Sequence, residues 1–270
     1  MRVVNTVDEM ASAQGWVVRP LGLVPTMGAL HDGHLSLVQR ARGESATVVV
    51  SIFVNPTQFG PQEDLSTYPR TLERDLALLE RRGVDLVFIP QPEEMYPPGF
   101  DTWVEVSRLA SRLEGEVRPE HFRGVATVVT KLFSIVRPDR AYFGQKDAQQ
   151  ALVIRRLNAD LNLGAQVVVL PTVREHDGLA MSSRNVFLDP RERQAATVLH
   201  RSLRLAEGMY TTGERNATTI REVMLKLLQS EPLARVDYVS IADTETLEEL
   251  DNIQEPALVS LAVRMGRTRL

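Results

Sequence analysis

Cysteine is absent from this sequence. That removes disulfides, thiolate nucleophiles and cysteine-ligated zinc together, and it suits a reducing compartment. No run approaches the roughly 20 apolar residues that a membrane-spanning helix needs. Near the N-terminus Asp8 and Glu9 interrupt any apolar stretch of a secretory leader, so the expected location is cytoplasmic. An excess of basic charge is also missing. The 31 Lys and Arg are outnumbered by 35 Asp and Glu, for a formal net charge of -4, so neither nucleic acid nor an anionic membrane is expected as a partner. The chain itself is ordinary globular material. Its 270 residues are 43% apolar and 24% charged, enough for one large domain or two modest ones with a buried core.

Short apolar runs alternate with segments of helical period. Strands are predicted over Leu21–Pro25, Val48–Val54, Asp85–Ile89, Ala141–Phe143 and Val167–Leu170. Between them, helices are predicted over Leu35–Arg42, Thr71–Arg82 (with Leu72, Leu76 and Leu79 on one face), Ala126–Ile135 and Asp147–Leu161. This rhythm predicts an α/β fold: a Rossmann-like parallel sheet with helices on both faces. Such sheets bind ligands beyond the carboxyl ends of their strands. Gln91 to Gly99 holds three prolines and reads as a surface excursion. After about Pro171 the pattern changes. One amphipathic helix carries Ala195, Leu199, Leu203 and Ala206, and the next carries Ile220, Val223 and Leu227. Strands over Val236–Ala242 and Ala257–Val263 follow. A smaller C-terminal α+β domain over residues 174–270 is expected, after a first domain over 1–173.

Chemistry-bearing residues collect where strands end. Thr26, Met27, Gly28, Ala29, Leu30, His31, Asp32, Gly33 and His34 follow the first predicted strand. The glycines permit close backbone approach, and a helix beginning near His34 would turn free N–H groups and its dipole toward an anion. His31 and His34, three apart, can present imidazoles to the same phosphates. An HxxH pair can also hold a metal, but the five histidines and missing cysteines leave no obvious further ligands. A plain structural turn is the other alternative. Asn55 and Gln58 lie in a turn after the second core strand and offer neutral donors and acceptors. Gly144, Gln145, Lys146 and Asp147 end a further strand, with Asp147 as a helix N-cap and Lys146 placed to neutralise phosphoryl charge. Met181, Ser182, Ser183 and Arg184 form a hydroxyl and guanidinium loop suited to pyrophosphate, although such a loop read alone is most often a helix cap.

The segment PTMGALHDGH looks like the HIGH-type signature of the nucleotidylyltransferase superfamily and, more narrowly, resembles the ATP-binding motif of the pantothenate synthetase (AMP-forming pantoate–β-alanine ligase) family. The resemblance continues through the Asn55–Gln58 stretch, the GxKDxxQ-like segment Gly144–Gln150 and Met181–Asn185, in the family's order. It is strong from Pro25 to Asn185 and weaker in the last ~70 residues. Gln145 stands where the family usually has glutamate, and Arg74 where an acidic residue is common.

The resemblance implies ATP as substrate, bound by Thr26 to His34, Gly144 to Asp147, Val173 and Met181 to Arg184. It implies a pantoate and β-alanine site of Asn55, Gln58, Arg118, Val125, Val129 and Gln150. Mg2+ is expected near Asp75 or on the ATP phosphates themselves, and the chain is expected to be a homodimer. It also implies two steps: pantoate attacks the α-phosphorus, pyrophosphate leaves, and the amine of β-alanine then displaces AMP. His31, His34, Lys146, Ser182, Ser183 and Arg184 would stabilise the phosphate charge, and the second domain would act as a lid. A nucleotidylyltransferase acting on a phosphorylated acceptor would share the histidine site but give no reason for Asn55 and Gln58. A non-catalytic nucleotide-binding module would not need all four motifs.

Overall fold

The computed structural model describes residues 1–61 and 63–270. They form two compact units, Met1–Ser111 with Gly115–Val173 and Arg112–Glu114 with Arg174–Leu270.

The first unit is built on strands β1 (Arg2–Val4), β2 (Leu21–Thr26), β3 (Thr47–Ile52), β4 (Leu86–Phe88), β5 (Arg140–Gly144) and β6 (Gln166–Leu170). They lie in the order β1-β4-β3-β2-β5-β6, and every pairing is parallel. All six residues of β3 are buried, as a β-branched run covered on both faces should be. The edge strand β1 carries too few apolar residues to read as a strand in the sequence. It forms because Arg2, Val3 and Val4 find the open side of β4.

The helices of this unit are α1 (Val7–Ala13), α2 (Asp32–Glu44), α3 (Leu72–Arg81), α4 (Pro92–Met95), α6 (His121–Val136) and α7 (Ala148–Asp160), with the short α5 (Glu114–Val117), all but its first residue in this unit, before α6. Leu37, Val38 and Ala41 of α2 and Leu79 of α3 pack with Val24, Val48, Val50 and Val87 of the sheet. Two expectations need correction. Leu72 is 44% exposed, and the buried face of α3 carries Asp75 instead. The segment Gln91–Gly99 is not only a surface excursion, because Met95 is wholly buried and Tyr96 reaches the site described below.

The second unit contains α8 (Pro190–Ala195), α9 (Thr197–Thr211), α10 (Ala217–Gln229) and an antiparallel sheet of β7 (Ala234–Asp243), β8 (Ala257–Met265) and β9 (Thr268–Arg269). Ala195, Val198, Leu199, Leu228, Val263 and Met265 make one apolar cluster. Ala206, Ile220, Met224 and Ile241 make another. Ile220, Met224 and Leu228 of α10 are buried, Leu227 packs partly buried against the same core, and Val223 is half-buried.

Candidate active site

The strand order reverses direction between β2 and β5, which are neighbours. Crevices at such switch points are the usual ligand sites of open parallel sheets. Two turns leave the sheet there. After β2 the backbone passes through left-handed Gly28 (φ 80°) and Ala29 (φ 49°) and enters α2, whose N-cap is His31 and whose first residue is Asp32. The helix thus starts earlier than its apolar period indicated, and His34 lies in its first turn beside Gly33. The turn is held from within. The Thr26 hydroxyl donates to the Ser51 carbonyl (2.8 Å) and accepts from the Gly28 amide (3.2 Å). Leu30 plugs into the core, Met27 is half-buried and Asp32 is exposed.

His31 and His34 stack with ring centroids 4.1 Å apart and planes tilted by 33°. The His31 backbone amide donates to Nδ1 of His34 (3.4 Å). Burial first, and then His31, push the His34 pKa down to about 3. The ring is therefore neutral at pH 7, and with Nδ1 accepting, its proton sits on Nε2 as an outward donor. His31 is lowered as well, by burial and then by the Lys146 charge, with Asp32 and Asp147 opposing and Arg74 adding. β2 and β5 are parallel neighbours, so the turn after β5 leaves the sheet beside the turn after β2, and the Lys146 charge lowers both rings. Gly144 ends β5, and Gln145, Lys146 and Asp147 form a single 3-10 turn before α7. Asp147 occupies the N-cap position of α7 but makes no capping bond. Its carboxylate instead lies 3.4 Å from Nζ of Lys146, an exposed pair of the kind that contributes little to stability.

Beyond β3, the 3-10 turn Pro56–Gln58 is capped by Asn55. Asn55 is 1% exposed and its amide is wholly committed. Nδ2 donates to Oε1 of Gln58 (2.9 Å) and to the Gly124 carbonyl (3.2 Å). Oδ1 accepts from the hydroxyls of Tyr96 (2.8 Å) and Thr57 (2.9 Å). Asn55 is thus not placed to touch a ligand; it orients Gln58. Because Oε1 of Gln58 is occupied, its Nε2 faces outward with two donors.

Arg118 is corrected in the same way. Its guanidinium grips the Glu63 carboxylate bidentately, at 2.6 and 2.5 Å, and donates to the Gln58 carbonyl (3.0 Å). Burial pushes the Glu63 carboxyl up, but the Arg118 hydrogen bond and charge outweigh it and hold the group below the usual range. Nδ1 of His121 lies 3.0 Å from the same Gln58 carbonyl, which only accepts, so Nδ1 carries the proton. Val125 and Val129, one turn apart on α6, are buried, and Gln150 on α7 is half-buried. Tyr96 and Gly124 escaped sequence reading. Tyr96 lay among prolines, although the lone glycine in an otherwise apolar helix was a usable signal.

Asp75, considered for magnesium, is 1% exposed. Its Oδ2 accepts from the Ala29 amide (2.8 Å), and its Oδ1 from the Leu30 amide (2.9 Å) and the Thr71 hydroxyl (3.1 Å). Three of its roughly four acceptor sites are thus taken and the group is closed off from solvent, so Asp75 does not fit as a direct metal ligand. Among the described residues no group of three or more His, Cys, Asp or Glu is placed to hold a metal ion.

In the second unit, Ser182 caps the 3-10 turn Ser183–Phe187, its hydroxyl accepting from the Arg184 amide (3.2 Å). The Asn185 side chain ties the turn to the Ala180 carbonyl (3.1 Å). Met181 is half-buried, as is Val173, the last residue of the first unit. Gly178 is left-handed (φ 91°) and packs against the His200 ring, where a Cβ would lie 2.6 Å from Cε1. Gly178 is thus closely packed.

Comparison with known proteins now decides the family. The model for Pantoate-beta-alanine ligase matches residues 2–270. The chain belongs to the pantoate–β-alanine ligase family. It is 61% identical to the pantothenate synthetase of Roseiflexus sp. (strain RS-1), over 100% of this chain and 97% of that relative. It is 57% identical to the one from Pelotomaculum thermopropionicum, over 100% and 97%. The crystal structure of pantothenate synthetase from Thermus thermophilus superposes with a TM-score of 0.96 at 50% identity, over 100% and 97% of the two chains. The Francisella tularensis ligase, solved with Beta-gamma ATP and Beta-alanine, superposes with a TM-score of 0.82 at 33% identity, over 100% and 95%. The chain is a ligase that joins pantoate to β-alanine to form pantothenate. No helix among the described residues is long and apolar enough to cross a membrane.

Proposed function

We propose that the chain makes pantothenate in two steps at the β2–β5 switch point, with ATP carried in as its magnesium complex. A carboxylate does not accept an amine directly, because oxide is a poor leaving group. Pantoate oxygen attacks the α-phosphorus, the bond to the β-phosphate oxygen breaks, and pyrophosphate departs. The amine of β-alanine then attacks the acyl carbon, the amide C–N bond forms, and AMP leaves as the amine gives up a proton. No covalent nucleophile is required. The protein aligns the reactants and stabilises charge on the phosphates.

The observation that carries this reading is the neutral His31–His34 pair at the N-terminus of α2 with Lys146 beside it. Two imidazoles, the first amides of a helix and one ammonium form a cradle for polyphosphate. Magnesium is held in this reading by phosphate oxygens and water, its usual habit. Gln58 faces pantoate, and Val125 and Val129 form the apolar wall near it. Ser182, Ser183 and Arg184 serve the pyrophosphate; a homodimer and a cytoplasmic location belong to the same reading. The Francisella relative's ATP and β-alanine support the choice of substrates. An AMP-release assay that omits ATP, pantoate or β-alanine in turn tests it. AMP formed without β-alanine at the full rate, or without pantoate, overturns it.

The division of labour has a sharper consequence. Gln58→Ala removes two outward donors but no cation, so pantoate affinity falls about ten-fold or more while ATP affinity is nearly unchanged. Calorimetry with each ligand separately reads this, and equal losses refute it.

The pyrophosphate loop gives a kinetic signature. If Arg184 contacts phosphates only as the reaction proceeds, Arg184→Ala depresses single-turnover adenylation more than equilibrium ATP binding. Lysine rescues only in part, lacking the bidentate fork. Lost affinity with a normal rate at saturating ATP makes Arg184 a static binding residue.

A further inference from the structure

The turn between β2 and α2 contains two successive left-handed residues, Gly28 and Ala29. Ala29 has a Cβ, for which this conformation is unfavourable, so something outside the turn must hold it there. The holder is a single carboxylate from another element, Asp75 on α3. It takes the Ala29 amide at 2.8 Å on one oxygen and the Leu30 amide at 2.9 Å on the other. Thr71, one helical turn earlier, donates its hydroxyl to the carboxylate at 3.1 Å and fixes its plane. The fit is close: a Cβ on Gly28 would lie 3.2 Å from Oδ2 of Asp75 and 3.1 Å from Ile52.

We infer that Asp75 is a positioning residue for the proposed polyphosphate site, acting as a fixed internal anion that shapes the turn, and not as a ligand for magnesium. By taking the Ala29 and Leu30 amides it divides the turn's donors. Those of residues 28 to 30 point inward, to Thr26 and Asp75. The amides that open α2, beginning at Asp32, stay with the helix N-terminus. The carboxylate also sets the angle at which the chain reaches His31 and so places the stacked imidazole pair. A carboxylate is needed for this, because two neighbouring N–H groups require two acceptor oxygens. Asn offers one oxygen and turns an NH2 group against the second amide.

The inference rests on the reading that this turn binds ATP, and its test separates the two. Asp75→Asn is compared with the wild-type enzyme in two measurements: calorimetric binding of ATP in EDTA, and the Mg2+ concentration giving half-maximal adenylation. Leaving one buried amide unpaired is expected to weaken metal-free ATP binding about ten-fold to one-hundred-fold, with the Mg2+ midpoint unchanged. A raised Mg2+ midpoint with unaltered binding in EDTA makes Asp75 a metal ligand and overturns the inference. No change in either measurement makes it idle packing and overturns it as well. Should Asp75→Asn fail to fold, Thr71→Val keeps the carboxylate and removes only its brace. It is expected to weaken ATP binding in EDTA by a smaller factor, and wild-type affinity in that variant counts against the inference. If the wild-type enzyme itself binds no ATP, the functional reading fails instead.

Discussion

Replacing His34 by alanine lowers the adenylation rate by about 10²–10³ while the protein stays folded, the usual effect of deleting one preorganised donor to developing charge. The size follows from what the ring does. His34 is neutral, its pKa held down to about 3 by burial and by His31. The His31 amide on Nδ1 leaves Nε2–H as a donor with a fixed direction. A donor that needs no reorganisation keeps its strength in a site shielded from water.

The neutral state makes a second, independent claim. A cationic histidine would lose its effect as pH rose through about 6.5. The His34 contribution, taken as the ratio of wild-type to mutant rate, is instead flat from about pH 5 to about pH 9. Stability responds differently. With the folded pKa below that of the unfolded chain, the stabilisation is present above about pH 6.5 and lost as pH falls toward the folded value. Stopped-flow pyrophosphate release on both proteins across pH, with thermal unfolding alongside, checks the two claims. A folded mutant with near-normal rate refutes the assignment, and a ratio that collapses above pH 7 refutes the neutral ring.

Gly124→Ala is expected to be nearly as damaging, though no ligand contact is lost. An added Cβ would lie 2.6 Å from the Thr57 carbonyl carbon and 2.9 Å from the Gln58 amide nitrogen, closer than carbon can approach either. Both neighbours are backbone, so no side chain can swing away. Either α6 retreats or the Pro56–Gln58 turn moves, and the bond from Asn55 to the Gly124 carbonyl stretches with it. Overpacking of this kind costs roughly 1–3 kcal/mol of stability, and a displacement of about 1 Å at a positioning residue can cost about 10²-fold in rate. Pantoate KM should rise and kcat fall together. ATP affinity should hold, because His31 and His34 stand at the start of α2 and Lys146 in the turn after β5. Steady-state kinetics with pantoate varied, and calorimetry with ATP alone, read the two halves. Normal pantoate turnover in the variant removes Gly124 from the account.

Both outcomes bear on what could be read before the fold was seen. The parallel sheet and its ligand edge were legible because β2, β3 and β5 are short, mostly apolar runs followed by turn residues. Their side-chain period records burial on both faces. His31, His34, Lys146 and Gln58 could be proposed from the sequence because each lies in the turn or first helical turn that follows a strand, where such sheets expose chemistry. The C-terminal helices and long strands were equally plain from their periods, save that α10 buries Met224 and Leu228 more deeply than Val223 and Leu227. A two-residue strand such as β9 has no period to detect.

Local sequence by itself thus determined the order of elements, the edge of the sheet that carries the chemistry, and the residue types offered there. Tertiary structure decided which of those residues are committed to holding other parts of the fold. Asn55 read as a binding residue because it follows a strand, and Arg118 and Asp75 because the family resemblance implied it. Asn55 is held to Gly124, Arg118 to Glu63 and Gln58, and Asp75 to Ala29 and Leu30, across separations of 45 to 69 positions. A hydrogen bond between chain-distant groups leaves no trace in local pattern. Buried polar side chains must satisfy their donors and acceptors somewhere, and only the folded chain shows where.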